Sequence, residues 1–155
     1  MISSALLSTL HLFALAIGLP GIFLRARALG RVTADPESLK PVFAADNAWG
    51  LAALLWIGTG LARLFGSFEK GTAYYANSGA FWLKLLLFAI VFALEAWPMS
   101  TLIRWRIAIG KQQPVDISIA PQLQRLSRIE LALTLAIPFV ASMMARGALF
   151  GWSPL

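Results

Sequence analysis

The chain has 155 residues, 59% of them apolar and 13% charged, with a mean hydropathy of +0.74. A soluble domain runs nearer about 45–50% apolar and about 25% charged, so a soluble globular domain is excluded. The net charge is +6, from 13 Lys plus Arg against 7 Asp plus Glu. The absence of cysteine removes disulfides, thiolate zinc sites, iron–sulfur clusters and cysteine nucleophiles, and a single histidine removes a multi-His metal centre within one chain.

Spans of about 20 apolar residues each would use the whole length, so residues 1–155 read as a single transmembrane domain. The first apolar run covers residues 2–24. No Lys or Arg precedes it and no small-residue cleavage site follows, so it reads as a retained span rather than a signal peptide. The second span is expected at 48–65, the third at 80–103 and the fourth at 129–150. In the loop before the second span, Asp35-Pro36-Glu37-Ser38 has the pattern of a helix start, with Asp35 as N-cap and Pro36 in the first helical position. Leu39, Val42 and Phe43 are then expected on the membrane surface. Pro20, Pro98 and Pro138 fall inside spans. Trp49, Trp82, Trp105 and Trp152 fall near span ends, where amphipathic rings favour the interface.

The loops set the expected orientation. Arg25, Arg27, Arg31 and Lys40 lie in one long loop, and Arg104, Arg106, Lys111, Arg125 and Arg128 in the other. Only Lys70, Arg63, Lys84 and Arg146 lie on or near the opposite side. The excess of basic residues predicts cytoplasmic long loops and periplasmic termini. It also accounts for the net charge without nucleic acid. The fold class is therefore an all-α, integral membrane four-helix bundle, with the lipid bilayer as its first partner.

Each span carries a small or polar stripe at helical spacing. In the first it is Ser4, Ser8, His11, Ala14 and Gly18; in the second, Trp49, Ala53, Trp56, Gly60 and Arg63. In the third it is Lys84, Phe88, Val91, Glu95 and Pro98; in the fourth, Thr134, Pro138 and Ser142. These faces should point into the bundle. Aligning Arg25 with Arg104 as inner ends sets His11 level with Ile90. Lys84 is then about 9 Å further out and Glu95 about 7.5 Å further in, at 1.5 Å per residue.

Each buried polar residue has a plain reading beside a functional one. His11 either hydrogen-bonds a Ser, Thr or carbonyl across the bundle or serves as a ligand. Lys84 either snorkels to the outer interface or meets an anion. Glu95 either bonds, protonated, to the carbonyl that Pro98 leaves unpaired or marks an intramembrane site. Asp46 and Glu130 should bridge to the neighbouring arginines. Arg63 and Arg146 suit lipid phosphate or a ligand carboxylate. No nucleophile elbow, HExxH, P-loop or GxGxxG occurs, so no catalytic residue is assigned.

The stretches His11 through Leu29, Asp46-Asn47-Ala48-Trp49-Gly50-Leu51, Gly58-Thr59-Gly60-Leu61-Ala62-Arg63, Tyr74-Tyr75, Phe81-Trp82-Leu83-Lys84 and Arg128-Ile129-Glu130-Leu131 resemble one family. It is a family of predicted four-span bacterial membrane proteins of unknown function, and it implies no activity. His11 before a small-residue face, with Trp82-Leu83-Lys84 opening the third span, is also similar to the four-helix protoporphyrinogen IX oxidases of the HemJ type. That resemblance implies b-type haem with functional roles for His11 and Lys84, although this chain has no second His. His11 would be the axial ligand, with Met143 or Met144 as weaker partners and Met99 too deep. Arg63, Lys84 and Arg146 would meet the propionates, and Ala14, Gly18, Ala53 and Trp56 would line the slot. The alternative class is a non-catalytic accessory or assembly subunit, working with other membrane subunits or as a homo-oligomer.

Overall fold

The computed structural model describes residues 2–66 and 79–145. They form four long helices: α1 (Ile2–Leu29), α2 (Lys40–Phe65), α3 (Gly79–Gly110) and α4 (Ala120–Ala145), with a 3-10 turn at Pro36–Leu39. No strand occurs among the described residues. All four helices are long and apolar enough to cross a membrane, so the protein is an all-α membrane protein.

The helices have 26 to 32 residues, or about 39–48 Å at 1.5 Å per residue. The hydrocarbon core of a bilayer is about 30 Å thick, so the helices outrun it. That explains why they exceed the apolar runs. α2 starts at Lys40 rather than 48, α3 continues to Gly110 rather than 103, and α4 starts at Ala120 rather than 129. The extra turns are amphipathic, and hydropathy does not register them.

Asp35 caps the 3-10 turn as its sequence predicts. Its carboxylate accepts from the Glu37 backbone N–H at 3.0 Å, and Pro36 occupies the first turn. Leu39 and Val42 are a correction: they are buried beneath the helix ends rather than spread on the membrane surface. α3 is stopped by a Schellman closure. Gln113 N–H donates to the Ala108 carbonyl and Gln112 N–H to Ile109, both at 2.9 Å. Gln112 takes the left-handed conformation (φ 56°) that this closure needs, and Pro114 bars continuation. Asp116 then accepts from Ser118 N–H at 2.9 Å, and these Ser118 hydrogen bonds hold its carboxyl below its ordinary pKa.

α1 is the central helix. It packs closely against α2 and α4, and α4 against α3; α2 and α3 approach each other less closely. The α1–α2 contact is close because both surfaces are small. A Cβ on Gly21 would come within 3.0 Å of the Trp49 backbone nitrogen, and one on Gly18 within 3.1 Å of Ala52 Cβ. Small residues let backbones approach where lipid supplies no hydrophobic drive between helices.

The core forms three layers along the axis. Leu29, Leu39, Val42, Leu102, Trp105 and Leu123 close the loop end. Ile22, Trp49 and Val91 fill the middle. Ala14, Trp56 and Ile137, with Leu87 and Phe88 packed on them, form the far layer. Leu12, Leu54, Phe92 and Phe139, one on each helix, are each more than 60% exposed, which is the pattern of a bundle with lipid outside. Trp49 and Trp105 are buried in these layers, so they are core residues and not interfacial belts. Trp82 is exposed as expected.

The predicted inward faces hold except at Ser142. Ala14, Trp56, Val91 and Pro98 are buried, and Ser8, His11, Gly60, Phe88 and Glu95 are half-buried. Ser142 is exposed. The depth alignment does not hold. Ala14 shares a layer with Leu87 and Phe88, and Leu29 with Leu102 and Trp105. α3 is thus shifted by more than a turn from the alignment on arginines, and His11 lies beside Lys84 rather than about 9 Å inward of it. The cause is Arg25, which is not an interface marker.

Candidate functional site

Two polar centres lie on one face of α1. Near its C-terminal end, Arg25 is fully buried. A charge in this position is costly unless every donor is met. Here all five N–H groups of the guanidinium are used. Nε donates to Ser127 Oγ at 3.1 Å, and NH1 to Asp46 Oδ1 at 3.0 Å and Glu95 Oε1 at 2.7 Å. NH2 donates to Glu95 Oε2 and Glu130 Oε2, both at 2.7 Å. The pair with Glu95 is bidentate, the strong form of an arginine–carboxylate contact.

The centre extends on both sides. Trp49 Nε1–H donates to Glu95 Oε2 at 2.9 Å. Arg106 reaches Asp46 Oδ2 and Asn47 Oδ1, each at 2.8 Å, and stacks over the Phe43 ring at 4.8 Å. Two guanidiniums therefore face three carboxyl groups. Glu130 Oε1 and, one turn along α4, Thr134 Oγ1 are buried without a hydrogen-bond partner. Asp46 and Glu130 pair with arginine as their sequence context predicts. Glu95 does not bond to the carbonyl freed by Pro98; it is held by Arg25 and Trp49.

The second centre surrounds His11. Its Nδ1 lies 2.8 Å from Thr59 Oγ1. That hydroxyl lies 2.6 Å from the Leu55 carbonyl and 3.3 Å from that of Trp56. A hydroxyl has one proton to donate, and a carbonyl takes it, so Thr59 Oγ1 accepts from His11 Nδ1–H. In the neutral imidazole the lone pair is then on Nε2. The Trp56 ring is tilted at 48° to the imidazole with centroids 5.8 Å apart, and Phe88 meets Trp56 edge-on at 6.1 Å.

These residues border a cavity of about 380 Å³ lined by His11, Trp56, Gly60, Arg63, Phe81 and Lys84 with part of α4. Phe88 lines its continuation. Lys84 Nζ sits 5.2 Å over the Phe81 ring. Of the residues expected at a site, His11, Lys84 and Arg63 do come together. Gly18 does not line the slot, because it is packed against Trp49 and Ala52. Arg146 and the Met144 side chain lie outside the described residues, and Met99 is exposed on the outer surface of α3. Among the described residues no three His, Cys, Asp or Glu side chains gather as metal ligands.

Thr59 and Arg25 are the central polar residues that the sequence reading misses. Arg25 carried a signal. Ser4, His11, Gly18 and Arg25 recur every seven residues, so the polar stripe of α1 runs on to the arginine.

Residues 3–148 match the family described as "Predicted membrane protein (DUF2214)", and the chain belongs to that family. No curated protein and no solved structure matches it.

Proposed function

We propose that the protein binds haem b, or a porphyrin of the same shape and charge, in the cavity around His11. It does so in the bacterial cytoplasmic membrane, with both termini periplasmic. The observation that carries the reading is the chain from His11 Nδ1–H to Thr59 and on to the Leu55 carbonyl. Histidines that ligate metals are held in this way, with the non-ligating nitrogen donating to a fixed acceptor. It sets the Nε2 lone pair as the metal-binding one.

The rest of the lining suits the same ligand. Ligand cavities are typically about 300–1,000 Å³, apolar, with a few placed polar groups. Trp56, Phe81 and Phe88 supply the apolar walls, and Arg63 and Lys84 supply two cations for propionates. Arg146 is assigned to the same propionate end from its sequence position. The similarity of His11 and Lys84 to the HemJ-type pattern supports the same ligand. Haem bound there would supply one-electron redox chemistry. The residues of the chain hold it, match its charge and exclude water.

The test is the visible spectrum of protein purified from haem-replete cells. A Soret band is expected, lost in His11→Ala and weakened in Lys84→Ala. A colourless protein that is folded by circular dichroism would overturn the proposal, and the accessory-subunit reading would take its place.

A further inference from the structure

A groove runs along the lipid-facing side of the α1–α2 contact, at the end that carries the long basic loop. Its volume is about 720 Å³. The close approach at Gly21 brings the helices together there, and small side chains, Ala44 and Ala48, leave the surface indented. Ile17, Pro20 and Leu24 form its apolar wall, and all three are exposed.

Arg27 and Arg31 stand at the mouth of this groove. Arg27 lies in the last turn of α1 and Arg31 in the turn that follows it, and both border the groove. Both are exposed, and neither makes an ion pair or side-chain hydrogen bond among the described residues. The nearby acids are engaged elsewhere: Glu37 with Lys40, Asp35 as a cap, and Asp46 with Arg25 and Arg106. The last turn of a helix favours cations through its dipole, which explains one basic residue there. It does not explain two, both facing an apolar groove.

We propose that this groove binds an anionic phospholipid, with its phosphate on Arg27 and Arg31 and one acyl chain along Ile17, Pro20 and Leu24. The dimensions match. From Ile17 to Arg27 is about 15 Å along the helix, half the roughly 30 Å hydrocarbon thickness. An acyl chain laid in the groove therefore spans one leaflet with its phosphate at the guanidiniums. Arginine forks pair with phosphate in bidentate geometry, and basic pockets between membrane helices are a known mode of headgroup recognition. The site is separate from the His11 cavity and does not depend on the haem reading.

Native mass spectrometry of the whole protein, delipidated and titrated with phosphatidylglycerol or phosphatidylcholine, tests the proposal. One phosphatidylglycerol adduct is expected at concentrations where phosphatidylcholine leaves the protein bare. The double variant Arg27→Gln/Arg31→Gln should weaken that adduct about thirtyfold. Ala44→Phe, which fills the groove and keeps both charges, should weaken it too. Both sites are exposed, and an unchanged melting temperature confirms folding of each variant. Equal binding of both lipids would overturn the proposal. So would an unaffected Ala44→Phe, which would reduce the arginines to surface attraction, or displacement of the adduct by millimolar inorganic phosphate. A variant-sensitive dimer in place of a lipid adduct would make the groove a contact between copies and overturn it as well.

Discussion

Arg25 and His11 share a face of α1, about 21 Å apart along its axis, and their surroundings differ in kind. Around Arg25 every donor is used, the ligating carboxylates come from three other helices, and tryptophan and arginine side chains close the rim. Around His11 the described residues supply a hydrogen bond to Thr59, a tilted Trp56 ring and a bordering cavity. A saturated network with bidentate geometry ties helices together. A half-filled space with an oriented imidazole and nearby cations is suited to taking up something else. The difference separates the centre that holds this bundle from the one proposed to bind a ligand.

The largest effect should come from the Arg25 centre. Arg25→Met leaves Glu95, Glu130 and Asp46 without their shared partner, and breaking a buried pair from one side costs about 3–5 kcal/mol. Thermal unfolding in detergent micelles reads this directly. Trp49→Phe removes the indole donor to Glu95 and part of the ring that fills the middle layer, and should cost about 1–3 kcal/mol in the same assay. Thr59→Val removes the acceptor of His11 and should cost about 0.6 kcal/mol, the average for a hydrogen bond between membrane helices. Its effect should show instead in the haem spectrum. If Thr59→Val destabilised as much as Arg25→Met, the division between a holding centre and a binding centre would be void.

Much of this was legible in the chain. The spans followed from hydropathy, the inward faces from helical spacing, and the start of the second helical segment from Asp35 and Pro36. Lys84 and Arg63 border one cavity with His11, although Lys84 was expected further out. The depth of these residues was not legible, and one residue explains why. Arg25 ends an apolar run, so by hydropathy alone it marks an interface. In three dimensions Glu95 and Glu130 neutralise it inside the bundle, and those partners lie 70 and 105 residues away in sequence. The same long-range pairing hid the role of Glu95. Trp49 and Trp105 misled similarly, since an indole near a span end can face headgroups or core, and only packing decides.

The distance from Arg25 to Glu130 also orders the birth of the molecule. Translation proceeds at about 5–20 residues per second, so α1 is made roughly 5–20 s before α4 supplies the last carboxylate. Through that interval Arg25, near the C-terminal end of α1, gains first Asp46, then Glu95, and last Ser127 and Glu130. The polar contacts of α1 are therefore complete only when the final helix emerges. A chain cut short before α4 would keep Asp46 and Glu95 on Arg25 but lack Ser127 and Glu130, so the closing helix is the one that completes the shell of the cation.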